Sequence, residues 1–106
     1  MNCLSIIGNL TKDPELRTTQ NGKKICSFTV AVNRHSTERD ITDYFRVYAW
    51  DALADTCNRY LEKGSKVYAR GRVTLNKYIG VDGNEHSQMQ MDRIDEVEFL
   101  SRKQME

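Results

Sequence analysis

The chain of 106 residues contains a single proline, Pro14, and only two histidines, His35 and His86. The histidines lie far apart, and there is no H-x-x-x-H pair, no Gly-rich phosphate loop and no nucleophile motif. The usual sequence supports for a zinc enzyme, a nucleotide-dependent enzyme or a hydrolase are therefore missing. Asp92, Asp95 and Glu96 offer carboxylates of the kind that hold a nuclease metal, but their setting reads as a solvated strand end. Cys3, Cys26 and Cys57 are odd in number and form no C-x-x-C pair, so they read as free thiols rather than disulfide or metal ligands. No apolar run approaches the ~18–20 residues of a membrane span, and Met1 to Leu10 lacks a basic stretch followed by a long apolar one. The expectation is a cytoplasmic protein that is not an enzyme and needs no cofactor or metal.

What is present suits one folded domain. Hydrophobic residues make up 39% and charged residues 29%, the balance of a globular chain. The net charge of +1 carries no global sign of a polyanionic partner, so any such sign must come from placement. Placement is uneven. Lys63, Lys66, Arg70, Arg72 and Lys77 occur between 63 and 81 without an acid, whereas 82–98 holds six acids against Arg93 alone. That division predicts a positive face and a negative face.

The dominant period is two. Leu4, Ile6, Gly8 and Leu10 alternate with Cys3, Ser5, Ile7 and Asn9 in a first strand, and Asp13-Pro14 and Asn21-Gly22 mark turns. Cys26, Phe28, Val30 and Val32 line one face of a second strand, and the polar stretch 34–42 reads as a loop. A third strand follows over 43–50, with Phe45, Val47 and Ala49 facing the core. Asp51 is placed to cap a helix carrying Leu53, Cys57, Tyr60 and Leu61, which Gly64 ends. The fourth strand, 65–78, has Val67, Ala69, Gly71, Val73 and Leu75 on its inward side, and Gly71 suggests a bulge. Asp82-Gly83 turns the chain into a fifth strand through Met89, Met91, Ile94, Val97, Phe99 and Leu100. The pattern predicts an all-β protein: an OB-fold, a five-stranded Greek-key barrel with one short helix between its third and fourth strands. The domain spans 1–100, with a short flexible extension at 101–106.

The third strand carries the functional signal. Its outward side reads Tyr44, Arg46, Tyr48, Trp50, because successive strand side chains point to opposite faces. Flat rings accept any base, at about 1–3 kcal/mol per stacked base, and cations along the same surface neutralise phosphates. Aromatic residues are also common on covered sheet faces and in subunit interfaces, and the pattern alone leaves both readings open. Tyr68 fits either reading. The acid-free stretch from Lys63 to Tyr78 favours a nucleic-acid ligand.

Gly8-Asn9-Leu10, then Asp13-Pro14-Glu15-Leu16-Arg17 and Asn21-Gly22, resemble the opening of bacterial single-stranded DNA-binding proteins. The resemblance continues in order through 28–34, Tyr44-Phe45-Arg46-Val47, Tyr60-Leu61-Glu62-Lys63-Gly64-Ser65 and Val97-Glu98-Phe99-Leu100. It implies an OB-fold that assembles, with a tetramer favoured over a dimer, and that protects single-stranded DNA in replication, repair or recombination. It further implies stacking on Tyr44, Trp50 and Tyr78 and backbone contacts from Arg46, Lys63 and Lys77. Arg72 joins them on the pattern of its own strand.

Two departures accompany the resemblance. An aromatic that the family often has near Ser36 is absent, with only His35 and Ser36 there. No flexible linker with an acidic tip precedes Glu106, so recruitment of partner proteins through a tail is not expected. The rival within the same fold is a scaffold of a replication-restart complex acting mainly through protein contacts. It predicts a buried aromatic stripe, whereas DNA binding needs Tyr44, Trp50 and Tyr78 accessible.

Overall fold

The computed structural model describes residues 1–35 and 38–101. Its elements are β1 (Leu4–Leu10), β2 (Glu15–Thr18), β3 (Lys24–His35), β4 (Asp40–Trp50), α1 (Asp51–Tyr60), β5 (Lys66–Ile79) and β6 (Glu85–Phe99). Hydrogen bonding runs in the order β1-β5-β6-β4-β3-β2, and β1 also pairs with β3. That extra pairing, Asn9 opposite Ala31 and Leu10 opposite Val30, closes β1, β5, β6, β4 and β3 into a five-stranded barrel. β2 lies outside the closure, paired only with the first part of β3. No helix among the described residues is long and apolar enough to cross a membrane.

Gly8 sits where β1 passes from β5 to β3. A side chain there would collide with the Ala31 carbonyl oxygen and with Val30 Cγ1 at 2.8 Å, so the closure requires a residue without a Cβ. Gly71 answers a similar need on β5. The β5–β6 register shifts between Arg70 and Gly71, and a Cβ at 71 would lie 2.6 Å from the Arg93 carbonyl oxygen. The bulge expected from a glycine in mid-strand is present.

The core follows the period-two reading. Ile6, Leu10, Cys26, Phe28, Val30, Val47, Ala49, Val67 and Ala69 are all buried, joined by Met91 and Ile94 of β6. Helix α1 packs Ala54 and Cys57 against β3 and β4, and Leu61 is buried just beyond it. The expected cap differs. Asp51 is the first helical residue, with φ at +56°, and no side-chain hydrogen bond caps the helix. Aspartate tolerates this left-handed geometry better than most residues, and here it forms the corner between β4 and α1.

Three further expectations are corrected. The stretch read as a loop is mostly a hairpin: β3 continues to His35 and β4 begins at Asp40. It is held by side-chain pairs rather than by a core, with Arg34 to Asp43 at 2.6 Å, Thr42 to Asn33 at 2.9 Å and His35 to Asp40 at 2.9 Å. Neither face of the arm is buried, so no apolar period marks it. β2 escaped for the same reason, since all four of its residues are exposed. Leu75 is not inward but 54% exposed, because β5 and β6 run past the barrel as a free arm to the Asp82-Gly83 turn.

The thiols behave as the spacing suggested: Cys3 is exposed, and Cys26 and Cys57 are buried and unpaired. Burial pushes the Cys26 thiol up to about 11, against a smaller opposing pull from Arg46, and that of Cys57 up to about 12. Thiolates are the reactive form, so at pH 8 a chromogenic disulfide reagent is expected to titrate one thiol of the three in the native protein. All three react after denaturation. Rapid reaction of a second thiol in the native state would contradict this burial.

Candidate nucleic-acid interface

The two segments most specific to the resemblance are bonded to each other rather than aimed at a ligand. Asn9 Nδ2 donates to the Gly64 carbonyl at 3.1 Å, Leu10 N to the Ser65 carbonyl at 2.9 Å, and Gly64 N back to the Leu10 carbonyl at 2.9 Å. Lys63 N donates to Asp13 Oδ1 at 2.8 Å, and Glu62 N to Ser65 Oγ at 3.0 Å. Gly-Asn-Leu, Asp-Pro and Lys-Gly-Ser therefore form one clasp that holds the helix exit against the end of β1. Lys63 belongs to that clasp through its backbone, in the loop between α1 and β5.

The candidate face is built on β4. Tyr44, Arg46, Tyr48 and Trp50 stand outward opposite Ala31, Thr29, Ser27 and Ile25 of β3. On the other side Arg46 is level with Gln90 of β6, and beyond it Thr74, Asn76 and Tyr78 of β5 pair with Gln90, Gln88 and His86. Because residues opposite one another in a sheet share a face, Tyr78 comes round to the side of Tyr44. Both rings line one open groove of about 400 Å³, together with Thr42, Asp43, Ser87, Gln88 and Met89. Tyr44 is 55% exposed and Tyr78 47%. Tyr78 is also stacked on His86, with ring centroids 5.7 Å apart and planes 27° from parallel, while His86 Nε2 lies 3.0 Å from Asp82 Oδ1.

Arg46 lies flat across β3. Its Nη1 donates to Thr29 Oγ1 at 3.1 Å and its Nη2 to Ser27 Oγ at 2.9 Å, and its guanidinium sits 5.8 Å from the centre of the Tyr48 ring. Both acceptors are neutral hydroxyls, so its charge is left uncompensated within this cluster. Trp50 is half-buried at the far end of the strand; its Nε1–H donates to the Asp92 carbonyl at 2.9 Å, and the Arg93 guanidinium lies 5.6 Å above the ring.

The expected division into a positive and a negative face is not found. β5 and β6 are antiparallel neighbours, so Arg70, Arg72 and Lys77 of the basic stretch are brought against acids of the acidic one, while Lys63 lies in the loop before β5. Arg70 pairs with Asp95 at 3.2 Å and Glu96 at 3.0 Å, Arg72 with Asp92 at 2.7 Å, and Lys77 with Glu85 at 3.9 Å. The Arg72 contact holds the Asp92 carboxyl below its usual range, chiefly through their hydrogen bond. Asp92, Asp95 and Glu96 are thus engaged by arginines. Among the described residues no three His, Cys, Asp or Glu side chains are grouped to hold a metal. Lys77, with Leu75, occupies the face of the arm opposite Tyr78, since adjacent strand residues alternate. The position near Ser36, expected to lack an aromatic, and the extension beyond 101 lie outside the described residues.

Of the residues singled out from the sequence, the structure gathers Tyr44, Arg46, Trp50 and Tyr78 on one face and places Arg72 at its margin. Lys77 stands on the opposite side of the arm, and Lys63 is in the loop after α1 rather than on a strand. Gln88 and Gln90 were missed, although their alternation with Met89 and Met91 marks them as outward. Arg93 was missed too, and its only sequence signal is the spacing of three between Met91 and Ile94, which breaks the alternation.

The barrel and this face define a class: an OB-fold with an aromatic and cationic strand surface. Residues 1–100 match the Single-strand binding protein family. The chain belongs to that family. It is 38% identical over 100 residues to a single-stranded DNA-binding protein of Bifidobacterium longum, covering 86% of this chain but 46% of that protein. It is 36% identical over 107 residues to single-stranded DNA-binding protein 1 of Staphylococcus aureus strain MSSA476, covering 97% of this chain and 67% of that one. The chain thus spans about half to two thirds of the length of these relatives. In fold it is similar to a solved Plasmodium falciparum SSB complex with ssDNA, with a TM-score of 0.81 at 22% identity, over 95% of this chain and 96% of that one.

Proposed function

We propose that this protein binds single-stranded DNA with little sequence preference and protects it without catalysing a reaction. The observation that carries the reading is the groove in which Tyr44 and Tyr78, from different strands, expose about half of each ring side by side. Bases stack on these two rings and on Trp50, and Arg46 neutralises phosphate between them. Lys63 serves the backbone from its loop, while Arg72 and Lys77 reach phosphate by exchanging Asp92 and Glu85 for it. The polar side chains between the rings, Thr74, Asn76, Gln88 and Gln90, tolerate any base edge. Family membership supports the same reading.

A role in replication, repair or recombination in the cytoplasm belongs to this proposal, as does assembly into a homo-oligomer, a tetramer rather than a dimer. Ile7 on the barrel and Leu75 and Ile79 on the arm are exposed apolar side chains that assembly would cover. Trp50 is the only tryptophan, so titration with oligo-dT is expected to quench intrinsic fluorescence, with the mass measured in the same sample. Unchanged emission together with no binding at low salt would overturn the reading, and a monomeric mass would overturn the assembly.

A further inference from the structure

We propose that Arg93 is an additional DNA-backbone contact: a guanidinium carried on the Trp50 ring that pairs with a phosphate beside it. The inference rests on the single-stranded DNA reading above and changes which cation serves the Trp50 end of the face.

Strand β6 is irregular. Met91 and Ile94 are both buried, at 0% and 4% exposure, although three residues apart. Strict alternation would have sent one of them outward. Instead the register with β5 shifts between Arg72 and Thr74, and both Asp92 and Arg93 lie outside the core. A bulge of this kind re-aims a side chain. The two re-aimed residues divide the work. Asp92 receives Arg72 on its carboxylate at 2.7 Å and the indole N–H of Trp50 on its carbonyl at 2.9 Å, which fixes the ring. Arg93 then lies over the ring, 5.6 Å from its centre.

Among the described residues Arg93 has no carboxylate within ion-pair distance, whereas Arg70, Arg72 and Lys77 each have at least one. A cation already paired with a carboxylate must give up that partner to reach phosphate, so its net contribution is smaller. An unpaired one contributes its full share of counterion release. A guanidinium is weakly hydrated and presents a planar fork of N–H donors, which suits it to paired hydrogen bonds with phosphate. Arg93 therefore offers an exposed charge with no carboxylate partner among the described residues, which Arg72, paired with Asp92, does not.

The test is the salt dependence of oligo-dT binding for the wild type, Arg93→Ala and Arg93→Lys, followed by anisotropy of labelled oligonucleotide. Arg93→Ala is expected to make the slope of log K against log [salt] shallower by about 0.7, one single-strand phosphate contact, and to weaken binding several-fold at low salt. Arg93→Lys is expected to keep a slope near that of the wild type. An unchanged slope in Arg93→Ala, or a slope in Arg93→Lys as shallow as in Arg93→Ala, would overturn the proposal, whatever happens to Trp50 emission. Altered emission without a change of slope would mean that Arg93 only packs the ring. Wild-type binding separates the two readings: if it is present and salt-dependent while Arg93→Ala matches it, Arg93 alone is refuted. If the wild type binds no oligo-dT, the DNA reading falls and takes this one with it.

Discussion

Removing both tyrosine rings, in the double variant Tyr44→Ala/Tyr78→Ala, is expected to weaken oligo-dT binding by about 2–6 kcal/mol, roughly 30-fold or more. Each ring is half exposed and lines the same groove, so truncation takes away stacking surface and little packing. Each single variant is expected to lose about 1–3 kcal/mol. The double loss is smaller than the sum if one base bridges both rings, because contacting groups couple. No charge is removed, so the slope of affinity against salt stays that of the wild type. Thermal unfolding is expected to shift by no more than about 0.5 kcal/mol, as for outward residues away from core and caps. Affinity within twofold of the wild type would place the bases elsewhere on the barrel.

The contrast between these rings and the charges beside them shows what the sequence could disclose. Local alternation set Phe28, Val30, Val47 and Ala49 in the core and Tyr44, Arg46 and Trp50 outside, and the barrel agrees at each of these positions. A period of two holds where one face is buried and the strand is regular, and it breaks at the β6 bulge, where Met91 and Ile94 are both buried. Where neither face is buried the rule has nothing to act on. The 34–42 arm and β2 were therefore invisible, and Leu75 was assigned to a core that the arm had already left.

Charge misled for a different reason. Basic and acidic stretches adjacent in sequence, joined by a tight Asp82-Gly83 turn, must lie side by side as a hairpin. Pairing across Arg72–Asp92 and Lys77–Glu85 then cancels the separation that the linear sequence suggested. Arg93 escaped notice because a bulge, not the period, brings it outward. The family motifs were legible as a resemblance, but their work is local: Asn9, Asp13 and Ser65 satisfy backbone groups where the helix exit meets β1.

The strongest test that fold and site are separable lies on one strand. Phe28, 1% exposed, faces the core opposite Val47, and its neighbours Ser27 and Thr29 turn outward to take the Arg46 guanidinium. Phe28→Ala is expected to cost about 3–5 kcal/mol, lost burial plus a cavity at the strand shared by β1, β2 and β4. Against a total stability of about 5–15 kcal/mol for a typical domain, that leaves a substantial unfolded fraction as the temperature rises. Denaturant unfolding at 25 °C reads the loss, and Phe28→Leu is expected to retain most of the stability because it keeps an apolar side chain in the site. In cool, low-denaturant conditions the folded Phe28→Ala protein is expected to bind oligo-dT with the wild-type salt slope, its apparent affinity reduced only by the folded fraction. A changed slope in folded protein would mean that the core residue sets the Arg46 geometry, so that the two faces of β3 are mechanically coupled. A loss below about 1 kcal/mol would mean that β3 is not the strand on which barrel closure depends.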